Sequence, residues 1–206
     1  VDVLIAAARA GSLPNLVVDP VLVSTSGSRL GVVSTVERLL PYATVVTPNR
    51  EEASALVGWR VGSPEEMARA AEQLGTSGAS CVVVTGGDLA GGGAVAGEAT
   101  DEAIDVVWST GGTWLLRSPR AATRNTHGSG CTFSAAIAAR LAVGETVMDA
   151  LTHAKAYVTR SIFGSSRWRL GSGHGALDHF GWFIPAGPLP PVHIDQFMST
   201  DSHWSV

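Results

Sequence analysis

The chain has 206 residues, enough for one large domain or two small ones, and with 45% hydrophobic and 16% charged residues it can bury a sizeable core. A net charge of −4 without a basic stripe argues against a nucleic-acid surface, and the apolar stretches are too short and interrupted to cross a bilayer. The two cysteines, Cys81 and Cys131, show no metal-ligand spacing and no disulfide framework; with no signal peptide visible, a reducing cytoplasmic setting fits best.

In chain order, Val1, Leu4, Ile5 and Ala8 fall on one helical face, and Gly11 and Pro14 supply the stop. The chain enters directly on this helix, so an upstream segment is expected. Leu16-Val17-Val18 is a short continuous apolar run, the pattern of a strand buried on both faces. It breaks at Asp19-Pro20, which reads either as a turn-forming pair or as an acid at the strand end where open α/β sheets place functional groups. Val32, Val33, Val36, Leu39 and Leu40 give a helix closed by Pro41, and Ala43 to Thr47 give a second buried strand. After Pro48-Asn49 a helix starts at Arg50-Glu51-Glu52; acids in a first turn are commonly dipole partners, so Glu52 stays ambiguous at this point. Ser63-Pro64-Glu65-Glu66 is a strong helix start, with Met67, Ala70, Ala71 and Leu74 facing inward.

Ala79 to Thr85 is the third buried strand, and Gly86-Gly87 at its end would let a ligand approach the backbone closely. Residues 90–97 are Gly-rich and expected to be mobile. Ile104–Trp108 and Trp114–Leu116, joined through Thr110-Gly111-Gly112-Thr113, read as a β-hairpin. A last helix is expected over Glu145–Phe163. From Gly164 onward, prolines at 185, 188, 190 and 191 predict a mostly irregular tail. Strands alternating with helices imply a three-layer α/β domain with a largely parallel sheet, in which Leu16–Val18, Thr44–Val46 and Val82–Val84 are neighbouring parallel strands.

The segment Asn125-Thr126-His127-Gly128-Ser129-Gly130-Cys131 stands at the mouth of an apolar helical run with Phe133, Ala136, Ile137 and Leu141 on one face. A Gly-rich turn opening a helix directs free N–H groups at the positive end of the helix dipole, a ready phosphate site. A thiol in that first turn is expected to have a lowered pKa and to serve as base or nucleophile; the alternative is a small core residue. No G-x-x-x-x-G-K-[ST] loop or convincing G-x-G-x-x-G unit is present.

Four stretches in order carry a family resemblance: Val18-Asp19-Pro20-Val21, Thr47-Pro48-Asn49-Arg50-Glu51-Glu52-Ala53, Asn125 to Thr132, and Gly171-Ser172-Gly173-His174-Gly175 with Asp178-His179. The chain resembles the ribokinase superfamily and, within it, the hydroxymethylpyrimidine/phosphomethylpyrimidine kinases of thiamine biosynthesis, from Val1 to about Trp182. The resemblance implies a three-layer α/β/α ribokinase-like domain over residues 1–182, an irregular tail over 183–206, ATP and Mg2+ as cofactors, and a pyrimidine as substrate. It also implies roles. Gly128, Ser129, Gly130 and Cys131 would form the anion hole, with Cys131 as the base for the substrate hydroxymethyl group. Asp19, Asn49 and Glu52 would organise magnesium, often through water. Thr85, Gly86 and Gly87 would line the nucleotide phosphates, and Lys155 with the 171–175 loop would border the adenine.

Two departures from the family stand out. Thr85 occupies a place where the family often has lysine, so phosphate charge is not neutralised there. The family's N-terminal portion, which supplies the first strands, the lid and most of the pyrimidine pocket, has no counterpart before Val1, so one sheet edge or face is expected to be incomplete. A pyridoxal-type kinase of the same superfamily is an alternative reading, against which Cys131 argues because those enzymes usually keep aspartate there. A pyrimidine-binding module without activity is another. His174 and His179 read as loop-ordering residues more readily than as metal ligands. A homodimer is implied by family analogy only.

Overall fold

The computed structural model describes residues 1–22, 30–87, 102–182 and 191–197. Its helices are α1 (Asp2–Arg9), α2 (Val33–Glu37), α3 (Arg50–Val57), α4 (Pro64–Thr76), α5 (Ser129–Ala142) and α6 (Val147–Ser165). Its strands are β1 (Val17–Val18), β2 (Val45–Val46), β3 (Cys81–Thr85), β4 (Glu102–Ser109), β5 (Gly112–Pro119) and β6 (His193–Gln196), forming one sheet in that order. The trio β1–β2–β3 is parallel, as the apolar runs imply, with Val17 opposite Val45 and Val46 opposite Val82. The hairpin β4–β5 and then β6 extend the sheet by antiparallel pairing. Because β5 returns to the direction of β3, four of the six strands run the same way.

Period-two alternation sorts the strand residues between two cores. Val46, Val82, Val84, Val106 and Leu115 pack with residues of α1–α4 on one face. Val45, Cys81, Val83, Val107 and Leu116 pack with Phe133, Ile137, Leu151 and Val158 of α5 and α6 on the other. Continuous apolar runs in β2 and β3 are required by this three-layer arrangement, since each residue meets one core or the other.

Helix starts follow side-chain chemistry. Ser63 and Glu66 form a capping box at α4, with Pro64 at its first position. Gly75, on the same helix, lies under the indole of Trp108 from β4: a Cβ there would stand 1.9 Å from a ring carbon. Gly75→Ala is therefore expected to destabilise the fold by about 1–3 kcal/mol through overpacking, visible as a lowered Tm, whereas Gly75→Ala with Trp108→Leu should recover much of the loss.

Several expectations need correction. Of the first helix's expected apolar face only Ile5 is buried; Val3 is 81% and Leu4 42% exposed, while β1 stands at the sheet edge. The Val32–Leu40 helix is two shorter pieces, α2 and a 3-10 turn over Leu40–Tyr42, because Pro41 removes an N–H donor within that turn. The last helix runs to Ser165, beyond Phe163. The tail is not wholly irregular: His193–Gln196 pairs with β5, with Ile194 opposite Leu116. All four of its residues are exposed, so no burial pattern marks this edge strand in the sequence. The Gly-rich segment 90–97 lies outside the described residues, as do 183–190 and 198–206 of the tail. No described helix is long and apolar enough to cross a membrane.

Candidate active site

Parallel β1, β2 and β3 bring their C-terminal ends to one edge of the sheet, and the expected site residues follow those ends: Asp19 after β1, Asn49 after β2, and Thr85, Gly86 and Gly87 at the end of β3. Thr85 donates its N–H to the Pro48 carbonyl at 2.9 Å, which ties the second and third strand ends together.

Asn49 and Glu52 first of all build a helix start. Asn49 Oδ1 accepts the Glu52 N–H and Glu52 Oε2 accepts the Asn49 N–H, both at 2.9 Å, a reciprocal capping box. The Leu22 backbone also hydrogen-bonds the Glu52 carboxylate. Asn49 thus fixes Glu52, with its own side-chain oxygen already committed. Glu52 is buried, and burial, aided by the charges of Asp19 and Glu51, outweighs these hydrogen bonds and pushes its carboxyl up to about 7.

The turn before α5 has Gly128 in the left-handed conformation at φ 83°, where a side chain would be strained. The Ser129 N–H turns back to the Thr126 carbonyl at 3.1 Å, so it is not among the outward donors of the first turn, while the Gly130 and Cys131 N–H groups make no such backbone bond. A Cβ at Gly128 or Gly130 would meet nothing within 4 Å, so the space over the turn is open. The Asp19 carboxylate feels the Cys131 thiol and, from the next helical turn, the Ser134 hydroxyl, both of which favour its charged form. Burial pushes Asp19 up and these two groups pull it down, with a net rise.

Cys131 departs from expectation. Its thiol is raised, not lowered: partial burial comes first, then the charge of Asp19 and the hydrogen bond to it, with Glu52 adding to the effect. Burial first, and then the two carboxylates, set this direction against the helix dipole. The same contacts show that Asp19, Glu52 and Cys131 share one neighbourhood.

Ser134 and Thr47 escaped the sequence reading. Their hydroxyls lie 2.8 Å apart, and Ser134 Oγ is 3.0 Å from the Gly130 carbonyl. Ser134 Oγ donates its single proton to the Gly130 carbonyl, so Thr47 can donate to it in turn. A serine on the otherwise apolar buried face of α5 was the available signal.

Thr132 Oγ1 donates to the Gly128 carbonyl at 2.7 Å, so in its 3.0 Å contact with His179 the imidazole Nε2 carries the proton. The 171–176 loop docks on the motif through the His127 N–H to Gly175 carbonyl bond of 3.1 Å. His179 therefore orders the turn, and His174 is exposed. Lys155 is 6% exposed and donates to Asp105 Oδ2 at 2.7 Å. Its charge is met by a buried carboxylate rather than presented at a surface.

Among the described residues no three His, Cys, Asp or Glu side chains converge as a ready ligand cage. Two neighbouring acids short of positive charge nonetheless suit a hydrated divalent cation, which keeps most of its waters. The raised Glu52 carboxyl has a thermodynamic consequence. The folded state binds this proton more tightly than the unfolded one, so stability is highest below about pH 4.5 for this group and falls as pH rises to about 7. In the metal-free protein a loss on the order of 2–3 kcal/mol from this carboxyl is expected in denaturant titrations across that window, and Glu52→Gln should abolish it.

A family model described as phosphomethylpyrimidine kinase matches residues 1–178. The chain is 46% identical over 171 residues to a hydroxymethylpyrimidine/phosphomethylpyrimidine kinase of Rhizobium meliloti, covering 80% of this chain and 60% of that protein. It is 44% identical over 171 residues to the chloroplastic thiamine biosynthetic bifunctional enzyme TH1 of Arabidopsis thaliana, covering 80% of this chain and 31% of that protein. Among solved structures, pyridoxal kinase from Staphylococcus aureus in complex with AMP-PCP and pyridoxal superposes with a TM-score of 0.75 at 30% identity, covering 92% of this chain and 68% of that one. The layered sheet and the Gly-rich helix start thus define a ribokinase-like α/β fold. Within that class the chain belongs to the phosphomethylpyrimidine kinase family.

Proposed function

We propose that the protein phosphorylates 4-amino-5-hydroxymethyl-2-methylpyrimidine and its monophosphate with ATP, in thiamine biosynthesis. The observation that carries this reading is the convergence of Asp19, Glu52 and Cys131 at the mouth of α5, where Gly130 and Cys131 offer backbone donors. Phosphoryl transfer needs little covalent chemistry from a protein; it needs donors for the equatorial oxygens, an acceptor for the substrate proton and charge balance. The Gly130 and Cys131 N–H groups hold the transferring phosphoryl group. Cys131 in its thiolate form takes the hydroxymethyl proton and becomes the neutral thiol, which the neighbouring Asp19 carboxylate favours. Asp19 and Glu52 are the residues that would hold a magnesium ion, which would supply charge neutralisation at the phosphates. Thr85, Gly86 and Gly87 line the nucleotide. The work takes place in the cytoplasm.

The chain spans about 60% of the Rhizobium relative. The test is therefore an ATP-turnover assay on the full-length protein with hydroxymethylpyrimidine and pyridoxal compared. Preference for the pyrimidine is the expected result. Preference for pyridoxal would favour the second reading, which the pyridoxal-bound Staphylococcus aureus structure supports. Turnover of neither would leave a binding module.

A further inference from the structure

Asp105 interrupts an apolar strand. Its neighbours Ile104, Val106 and Val107 are fully packed, and Asp105 itself is 4% exposed. It lies opposite Thr85 in the β3–β4 register. Both its oxygens are engaged: Oδ1 accepts the Gly86 N–H at 3.0 Å, and Oδ2 accepts from Lys155 Nζ at 2.7 Å. A single carboxylate thus joins the loop at the end of β3 to helix α6 from beneath. Gly86 is intrinsically among the least restricted of residues, so the orientation of its peptide has to be imposed from outside the loop. A buried carboxylate holds a fixed geometry only when its charge is met, and Lys155 meets it. The pair is neutral as a whole, so it does not replace the lysine that Thr85 lacks.

We infer that Asp105 and Lys155 are positioning residues for the nucleotide loop: Lys155 holds the Asp105 carboxylate, and Asp105 takes the N–H of the buried Gly86, which fixes the chain leading into the exposed Gly87 where the nucleotide phosphates would pass. This rests on the reading above that Thr85–Gly87 meets the nucleotide. It gives Lys155 a role through Asp105 and not by contact with adenine.

The test is calorimetric binding of ADP, with Tm measured on the same samples. Lys155→Met is expected to weaken ADP binding about tenfold, because Asp105 loses its counter-charge. Lys155→Met with Asp105→Asn restores a neutral buried acceptor for Gly86 and should return affinity to within about threefold of the wild type. Lys155→Met with Asp105→Leu is also neutral, since replacing both partners of a buried pair by apolar groups can be nearly neutral for folding, but it offers Gly86 no acceptor and should stay about tenfold weak. Equal affinity in the two double variants, or wild-type affinity in Lys155→Met, overturns the inference while leaving the kinase reading intact. If the Leu variant does not fold, Lys155→Met against its Asn rescue gives the same decision. A wild-type protein that binds no ADP removes the nucleotide reading itself, and the inference with it.

Discussion

Cys131→Ala in the full-length protein is expected to slow phosphorylation about a hundredfold or more, the usual scale for a lost general base. ADP affinity should change little, because the Gly130 and Cys131 backbone donors remain. The structure sharpens this expectation. Partial burial and the charges of Asp19 and Glu52 hold the thiol above its ordinary value, so the thiolate is scarce at neutral pH. Turnover limited by this group should therefore rise as pH rises through and beyond neutrality. A divalent cation beside the two carboxylates would neutralise the charges responsible and move that rise to lower pH. Cys131→Asp should recover part of the rate and shift the rise into the carboxylate range. Near-normal turnover of the alanine variant would show that the thiol only packs and that the hydroxyl loses its proton elsewhere.

Glu52→Gln is expected to lower kcat/KM about 10- to 100-fold and to raise the magnesium concentration needed for half-maximal rate, the scale on which outer-shell groups of metal sites act. This variant isolates charge from architecture. The amide oxygen can still accept the Asn49 N–H, so the capping box persists and α3 should start where it does now. Asn49→Ala is the complementary control: it removes the cap but leaves the carboxylate, and costs α3 about 1 kcal/mol. If Glu52→Gln turns over normally with an unchanged magnesium dependence, the acid is a helix cap and nothing more.

The two readings of Glu52 illustrate what local sequence can convey. Asn-x-x-Glu is both a capping box and a pair suited to a hydrated cation, and three residues of spacing serve either purpose. The capping box is present, and Asp19 lies close enough to add to the rise of the Glu52 carboxyl, a neighbour that spacing along the chain does not reveal. Cys131 shows the opposite failure: its place in the first turn of α5 was legible, and the expected direction of its titration followed from the helix dipole alone. Burial raises the thiol first, and the carboxylate that adds to the rise lies 112 positions earlier in the chain, after β1. The role at the adenine that the resemblance implies for Lys155 takes no account of Asp105, its partner from a strand far away in the sequence.

By itself the sequence determined most of the element types, with β6 and the break before Leu40–Tyr42 as exceptions, together with the parallel trio and the Gly-rich helix start. Apolar runs without alternation require burial on both faces, and a capped, amphipathic period requires a helix; both are local statements about the chain. It also carried the family resemblance, in motifs whose order survives without coordinates. What only the tertiary structure decided is which charges face one another. The parallel direction of β1, β2 and β3 delivers Asp19, Glu52 and the Gly86 loop to one sheet edge, and α5 brings Cys131 to the same place. Electrostatic interaction depends on separation in space and on burial, neither of which is written in spacing along the chain. The titration of Cys131, the pairing of Ser134 with Thr47, and the anchoring of Gly86 through Asp105 to Lys155 are for that reason properties of the fold.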